Sequence, residues 1–158
     1  MARGGSKPKT GTISAQGFKI LISPDDIRKV TEEELRLIKE RTPLGLQRAG
    51  FQAINRIEDR LDRGKGYQGN LKPYSPHYLL KRKERGATAT VNLTWSGNMR
   101  SAMAVRHNER YATIYFNRSS EAKKAAMLNK TRPFFGFTRK DEKELAESFA
   151  KYVFRGFK

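Results

Sequence analysis

Leu46, Gly50, Ile54, Ile57 and Leu61 recur at the spacing of one face of an α-helix. No other periodic signal in the chain is as strong. A stripe of this kind gains little from helix propensity alone, because helices are held mainly by burying such a face against other elements. The rest of the chain must therefore supply a partner for it. The signals before the stripe predict two helices. Thr31 followed by Glu34 is a capping box, in which the hydroxyl accepts from a free backbone N–H and the carboxylate accepts in return. It opens a helix through Leu35 and Ile38. Thr42-Pro43 then restarts one, since proline at the first helical position loses no needed donor.

Further along, Gly64, Gly66 and Gly69 mark a loop, expected to be a flexible surface excursion. Ser75-Pro76 opens a short helix that Gly86 ends. Ala89, Val91, Leu93 and Trp95 alternate with polar residues, as in a half-buried strand. Residues 101–106 and 111–116 are strand candidates around a polar hairpin loop at 107–110, and 120–129 reads as helix. Thr138 with Asp141 is a second capping-box start, for a closing helix lined by Leu145, Phe149, Tyr152 and Val153. The apolar Phe18-Lys19-Ile20-Leu21-Ile22 reads as a further short strand. The order predicts an α+β fold: N-terminal helices, a small antiparallel sheet with a β-hairpin, and a C-terminal helix. Residues 1–16 read as a flexible basic arm, and 17–158 as a single domain.

Lys and Arg number 33 against 16 Asp and Glu, a formal net charge of +17. That excess favours a polyanion or an acidic protein surface as neighbour. With no cysteine, disulfides, thiolate metal sites and cysteine nucleophiles are excluded. No apolar run approaches the ~20 residues that cross a bilayer, so no membrane is expected. The first residues lack the apolar core of a secretory signal, which places the expected site in a cytoplasm or in a particle assembled there.

Little in the sequence points to catalysis. His77 and His107 sit at a helix start and a turn, with no motif around either. The pairs Asp25-Asp26, Glu58-Asp59 and Asp141-Glu142, and the run Glu32-Glu33-Glu34, stand where acids favour helix starts or balance nearby cations. The glycine loop lacks the Gly-Lys-Ser/Thr ending of a phosphate-binding loop. No enzyme activity, metal or cofactor is expected. Two other features are denser. Lys81, Arg82, Lys83 and Arg85, with Arg63, Lys65 and Lys72 nearby and Arg3, Lys7 and Lys9 in the arm, are candidates to meet nucleic acid or an acidic partner without reading base sequence. A solvated helix face is the other reading of the 81–85 run. In Arg132-Pro133-Phe134-Phe135-Gly136-Phe137, burial of at least two rings in the core is expected, with the remainder as an interface anchor. Trp95, Pro133, Phe134, Phe135 and Phe137 are the candidates for core or subunit anchors.

Taken in order, these segments resemble the virion-morphogenesis or tail-completion proteins of the neck in tailed phages. That family has an N-terminal helical part, a glycine-containing loop and a Pro-Leu-Ser-Pro-x-Tyr…Lys segment. Thr-Gly-x-Leu-x-x-Ser then precedes a β-hairpin, and Arg-Pro-Phe-Leu-Gly precedes a final helix. The corresponding residues here are Pro73-Tyr74-Ser75-Pro76-His77-Tyr78 with Lys81, Ser96-Gly97-Asn98-Met99-Arg100-Ser101, and Arg132-Pro133-Phe134-Phe135-Gly136. Tyr74, Ser96 and Met99 depart from the family pattern. The resemblance implies a structural virion protein at the head–tail junction, in a connector, head-closure or tail-terminator role. It implies a homo-oligomeric ring around the DNA channel, touching other neck, portal-adaptor or tail proteins and packaged double-stranded DNA. The competing reading is a free nucleic-acid-binding protein without sequence specificity.

Overall fold

A computed structural model describes residues 31–157. The basic arm with Arg3, Lys7 and Lys9, the expected strand at 18–22 and the Asp25-Asp26 pair lie outside the described residues.

The first element is one helix, not two: α1 runs Glu32–Asp62 with Pro43 inside it. Its capping box is formed as expected, with the Thr31 hydroxyl accepting from the Glu34 N–H at 3.2 Å and the Glu34 carboxylate accepting from the Thr31 N–H at 2.8 Å. Pro43 removes one backbone donor, a change usually costly inside a helix. Packing on both sides of it carries the helix through. Arg41 donates to the carbonyls of Val153 (3.3 Å) and Arg155 (2.7 Å), while Gly45, Leu46 and Ala49 are buried one turn further on.

The stripe is buried as expected. Around it fold the small hairpin β1 Lys65–Gly66 and β2 Gly69–Asn70, helix α2 Pro76–Glu84, the single turn α3 Asn98–Ser101, strands β3 Met103–His107 and β4 Ala112–Phe116, and helices α4 Ser119–Thr131 and α5 Arg139–Val153. The two hairpins are antiparallel and form separate sheets. In the larger one Met103 pairs with Phe116 and Val105 with Ile114. The Asn108 side chain closes its turn, accepting from the N–H groups of Arg110 and Tyr111. The main core joins Ile54, Ile57 and Leu61 of α1 to Met103, Ile114, Phe134, Phe135 and Leu145. A second cluster gathers Leu46, Ala112, Phe149 and Val153. Gly50 admits the hairpin to this contact, because a Cβ there would lie 2.5 Å from a Val105 methyl.

Two expectations are corrected. The glycine loop is no free excursion: it folds into the β1–β2 hairpin, and the Tyr67 N–H donates to the Pro133 carbonyl at 3.2 Å. A Cβ on Gly66 would sit 2.0 Å from that same oxygen, so only glycine permits the approach. The alternating stretch 89–95 is not a strand. It has no strand beside it, and Leu93 adopts φ +54°.

Helix α5 is anchored through its own cap. The Asp141 carboxylate accepts from the N–H and hydroxyl of Thr138, both at 2.9 Å, and also meets Arg60 of α1, with Arg56 at 3.5 Å. Arg60 reaches on to the Gly136 carbonyl. Burial pushes Asp141 upward, but the Thr138 bonds and the two guanidinium groups outweigh it and hold the carboxyl below the ordinary value. A group lowered in this way contributes stability fully above its unfolded value and loses it as pH falls through the folded one. Asp141→Asn is expected to destabilise the fold by about 3 kcal/mol at neutral pH in urea unfolding, since it weakens a cap and unbalances a partly buried ion pair. That deficit should shrink as pH falls below about 4, where unfolded aspartate protonates.

Candidate functional site

Ser75 caps α2, accepting from the Tyr78 N–H at 3.3 Å, and Pro76 occupies the first turn. One turn separates Tyr74 from Tyr78, and their rings meet edge to face at 4.9 Å. Tyr78 continues the chain of rings to Trp95 at 5.4 Å, and Arg85 lies over Trp95 at 4.4 Å from the ring centre. Beside this row opens a cleft of about 570 Å³, walled by Tyr74, Tyr78, Leu93, Trp95, Met99 and Leu128. Glu121 of α4 reaches the cleft while only 5% exposed, and Lys124 donates to it at 2.8 Å. Arg132 also lines the cleft, 5.3 Å over Tyr74.

Arg82 does not belong with the surface cations. It is 1% exposed, the most buried charge among the described residues. Its guanidinium donates to the carbonyls of Thr88 (2.8 Å) and Thr94 (2.6 Å) and to the Asn92 side chain (3.2 Å), and lies 5.0 Å over Tyr74. These bonds accompany the failed strand: the Thr88 and Thr94 carbonyls are satisfied by an arginine instead of a neighbouring strand. The Tyr74 hydroxyl completes the knot by accepting from the Leu93 N–H at 3.0 Å. Burial raises the Tyr74 phenol above its ordinary value, although the Leu93 bond and the nearby arginines pull the other way.

The other expected cations divide by place. Arg63, Lys65 and Lys72 are exposed on or beside the β1–β2 hairpin, and Lys81 and Lys83 on α2, with Arg85 at its C-cap. None of these six makes an ion pair with another described residue. Of the expected anchors, Phe134 and Phe135 are buried in the core, Pro133 and Phe137 are half-buried, and Trp95 is exposed at the cleft. His77 lies exposed on α2 and His107 at the end of β3. Among the described residues no group of three or more histidines or acids is placed to hold a metal ion. No helix among them is long and apolar enough to cross a membrane.

The chain matches no family model, no curated protein and no solved structure. Its internal geometry nonetheless ties together the three segments that carry the phage resemblance. Arg132 of the third donates to the carbonyls of Lys72 (2.8 Å) and Pro73 (3.0 Å), where the first begins. Tyr78 of the first packs on Trp95, beside the second, whose Gly97 and Met99 line the same cleft.

Sequence reasoning missed four residues here. Glu121 is a lone acid in a basic helix, and nothing local marks it as buried. Arg132 looks like another surface cation. The Ser75 cap between Tyr74 and Tyr78 is a signal that was present, since a helix start can bring the residue before the cap back against the first turn. Because lysine cannot reproduce a planar fork spanning three acceptors, Arg82→Lys should cost about 2 kcal/mol in urea unfolding, more than Lys81→Ala or Lys83→Ala, which should stay within about 0.5 kcal/mol.

Proposed function

We propose that this protein is a structural subunit of the head–tail junction of a tailed phage, a neck or tail-completion protein that assembles as a ring around the DNA channel and catalyses nothing. The observation that carries the reading is the convergence of the three resemblance segments on one aromatic cluster. Residues scattered over sixty positions of sequence act there as a single structural unit.

An apolar strip on α1 supports an assembling role. Leu44 is 53% exposed and Phe51 51% exposed, two helical turns apart on one face. Between them Arg48 lies 5.6 Å from the Tyr152 ring centre. A concavity lined by Leu44, Arg48, Phe51, Asn55 and Tyr152 follows this face. Large apolar side chains ringed by polar groups are the composition of a docking surface. In the proposed ring this face meets the next subunit, while the unpaired lysines and arginines of α2 and the β1–β2 hairpin face DNA phosphates or an acidic neighbour.

A second reading, a free nucleic-acid-binding protein, is favoured by the exposure of Lys81 and Lys83 on one short helix, with Arg85 at its C-cap. The two readings separate in one experiment. Native mass spectrometry of the full-length protein should give a closed oligomer, and Phe51→Asp with Leu44→Ser should return it to monomer with an unchanged circular-dichroism spectrum. A wild-type chain that stays monomeric at all concentrations, yet binds duplex DNA tightly at low salt, would replace the ring with the second reading.

A further inference from the structure

We propose that the cleft beside α2 binds an unpaired nucleotide of single-stranded nucleic acid and prefers guanine. The inference stands apart from the ring reading, since every residue it uses comes from one subunit.

The lining decides the ligand class. Tyr78 and Trp95 offer aromatic surface for a flat ring, and base–aromatic stacking is the usual way a protein holds an unpaired base. The volume of about 570 Å³ falls in the range of small-ligand sites, roughly 300–1,000 Å³. Lys124 and Arg132 line the cleft, against the single carboxylate of Glu121. A cationic side chain from a partner would meet two like charges. A purely apolar one would strip water from Glu121 and return no hydrogen bond. A ligand with an anionic edge and a flat body carrying donors suits all of these groups together.

Glu121 sets the base preference. An ionised carboxylate has about four acceptor positions, and Lys124 uses one of them. Guanine presents two adjacent donors, N1–H and the N2 amino group, which match the two oxygens of one carboxylate. Thymine offers a single ring N–H.

Trp95 is the only tryptophan in the chain, so its fluorescence reports on this cleft directly. The full-length protein would be titrated at low salt with an octathymidylate carrying one central guanine, the all-thymine octamer, a blunt duplex of the same length, and inorganic phosphate. The guanine strand should quench Trp95 saturably and about tenfold more tightly than the all-thymine strand, with the duplex and phosphate giving no saturable quench. Tyr78→Ala should weaken binding of both strands at least fivefold, as loss of one stacking partner does. Glu121→Gln should remove the guanine preference and leave the thymine affinity unchanged. Lys124→Ala should lower the salt dependence by about one phosphate contact. Absence of saturable quenching by any strand would overturn the proposal, as would quenching equalled by phosphate alone. Trp95 emission that changes with protein concentration in the absence of any strand would give the cleft to a second copy of the chain. These results leave the ring reading to be judged by its own mass measurement.

Discussion

Backbone carbonyls that have no strand to pair with need donors, and in this protein arginine provides them. Outside α2, the chain between 71 and 97 is almost entirely irregular. Two of its carbonyls are held by Arg82 and two by Arg132. The same device recurs elsewhere: Arg41 closes the end of α5, Arg60 binds Gly136, and Arg118 donates to the Asn98 carbonyl at 2.6 Å. A planar fork with five donors can bridge acceptors on different segments, which suits a fold whose sheets are two small hairpins. Remove Arg82 or Arg60 and the part-buried oxygens they serve would lose these donors.

This use of arginine changes the meaning of the formal charge. A value of +17 counts every cation as though it faced water, but several are occupied by the fold. Arg56 and Arg60 meet Asp141, and Arg100 meets Asp62 and Glu58. In the Arg100 pair, the guanidinium bonding to Asp62 holds that carboxyl below its ordinary value. The exposed cations of α2 and the β1–β2 hairpin, like Lys123, Lys130 and Lys151 elsewhere, are in no ion pair with a described residue. The surface charge is thus smaller than the formal count suggests.

Local chemistry was legible where neighbours in sequence complete one another. Both capping boxes, the Ser75-Pro76 helix start, the β3–β4 hairpin and the stripe on α1 each involve residues within a turn or two, and each formed as read. The burial of Phe134 and Phe135 was legible too, because two adjacent large rings have few places to go except a core. Expectations failed where a residue's role depended on something distant. Pro43 reads as a helix start until Arg41 and Gly45 are seen docked against α5. The Ala89–Trp95 alternation reads as a strand until no second strand is found. Gly66 reads as a flexible tip until Pro133 is found against it.

The sequence alone determined where three helices begin, which face of α1 had to be covered, and the absence of cysteine chemistry, because periodicity and capping act over a few residues. The tertiary structure decided what covers that face, which cations are surface and which are internal ties, and that Tyr78, Trp95 and Glu121 share one cleft. Those outcomes rest on contacts between positions far apart in the chain. Neither the spacing nor the type of a residue records the partner that folding will bring to it.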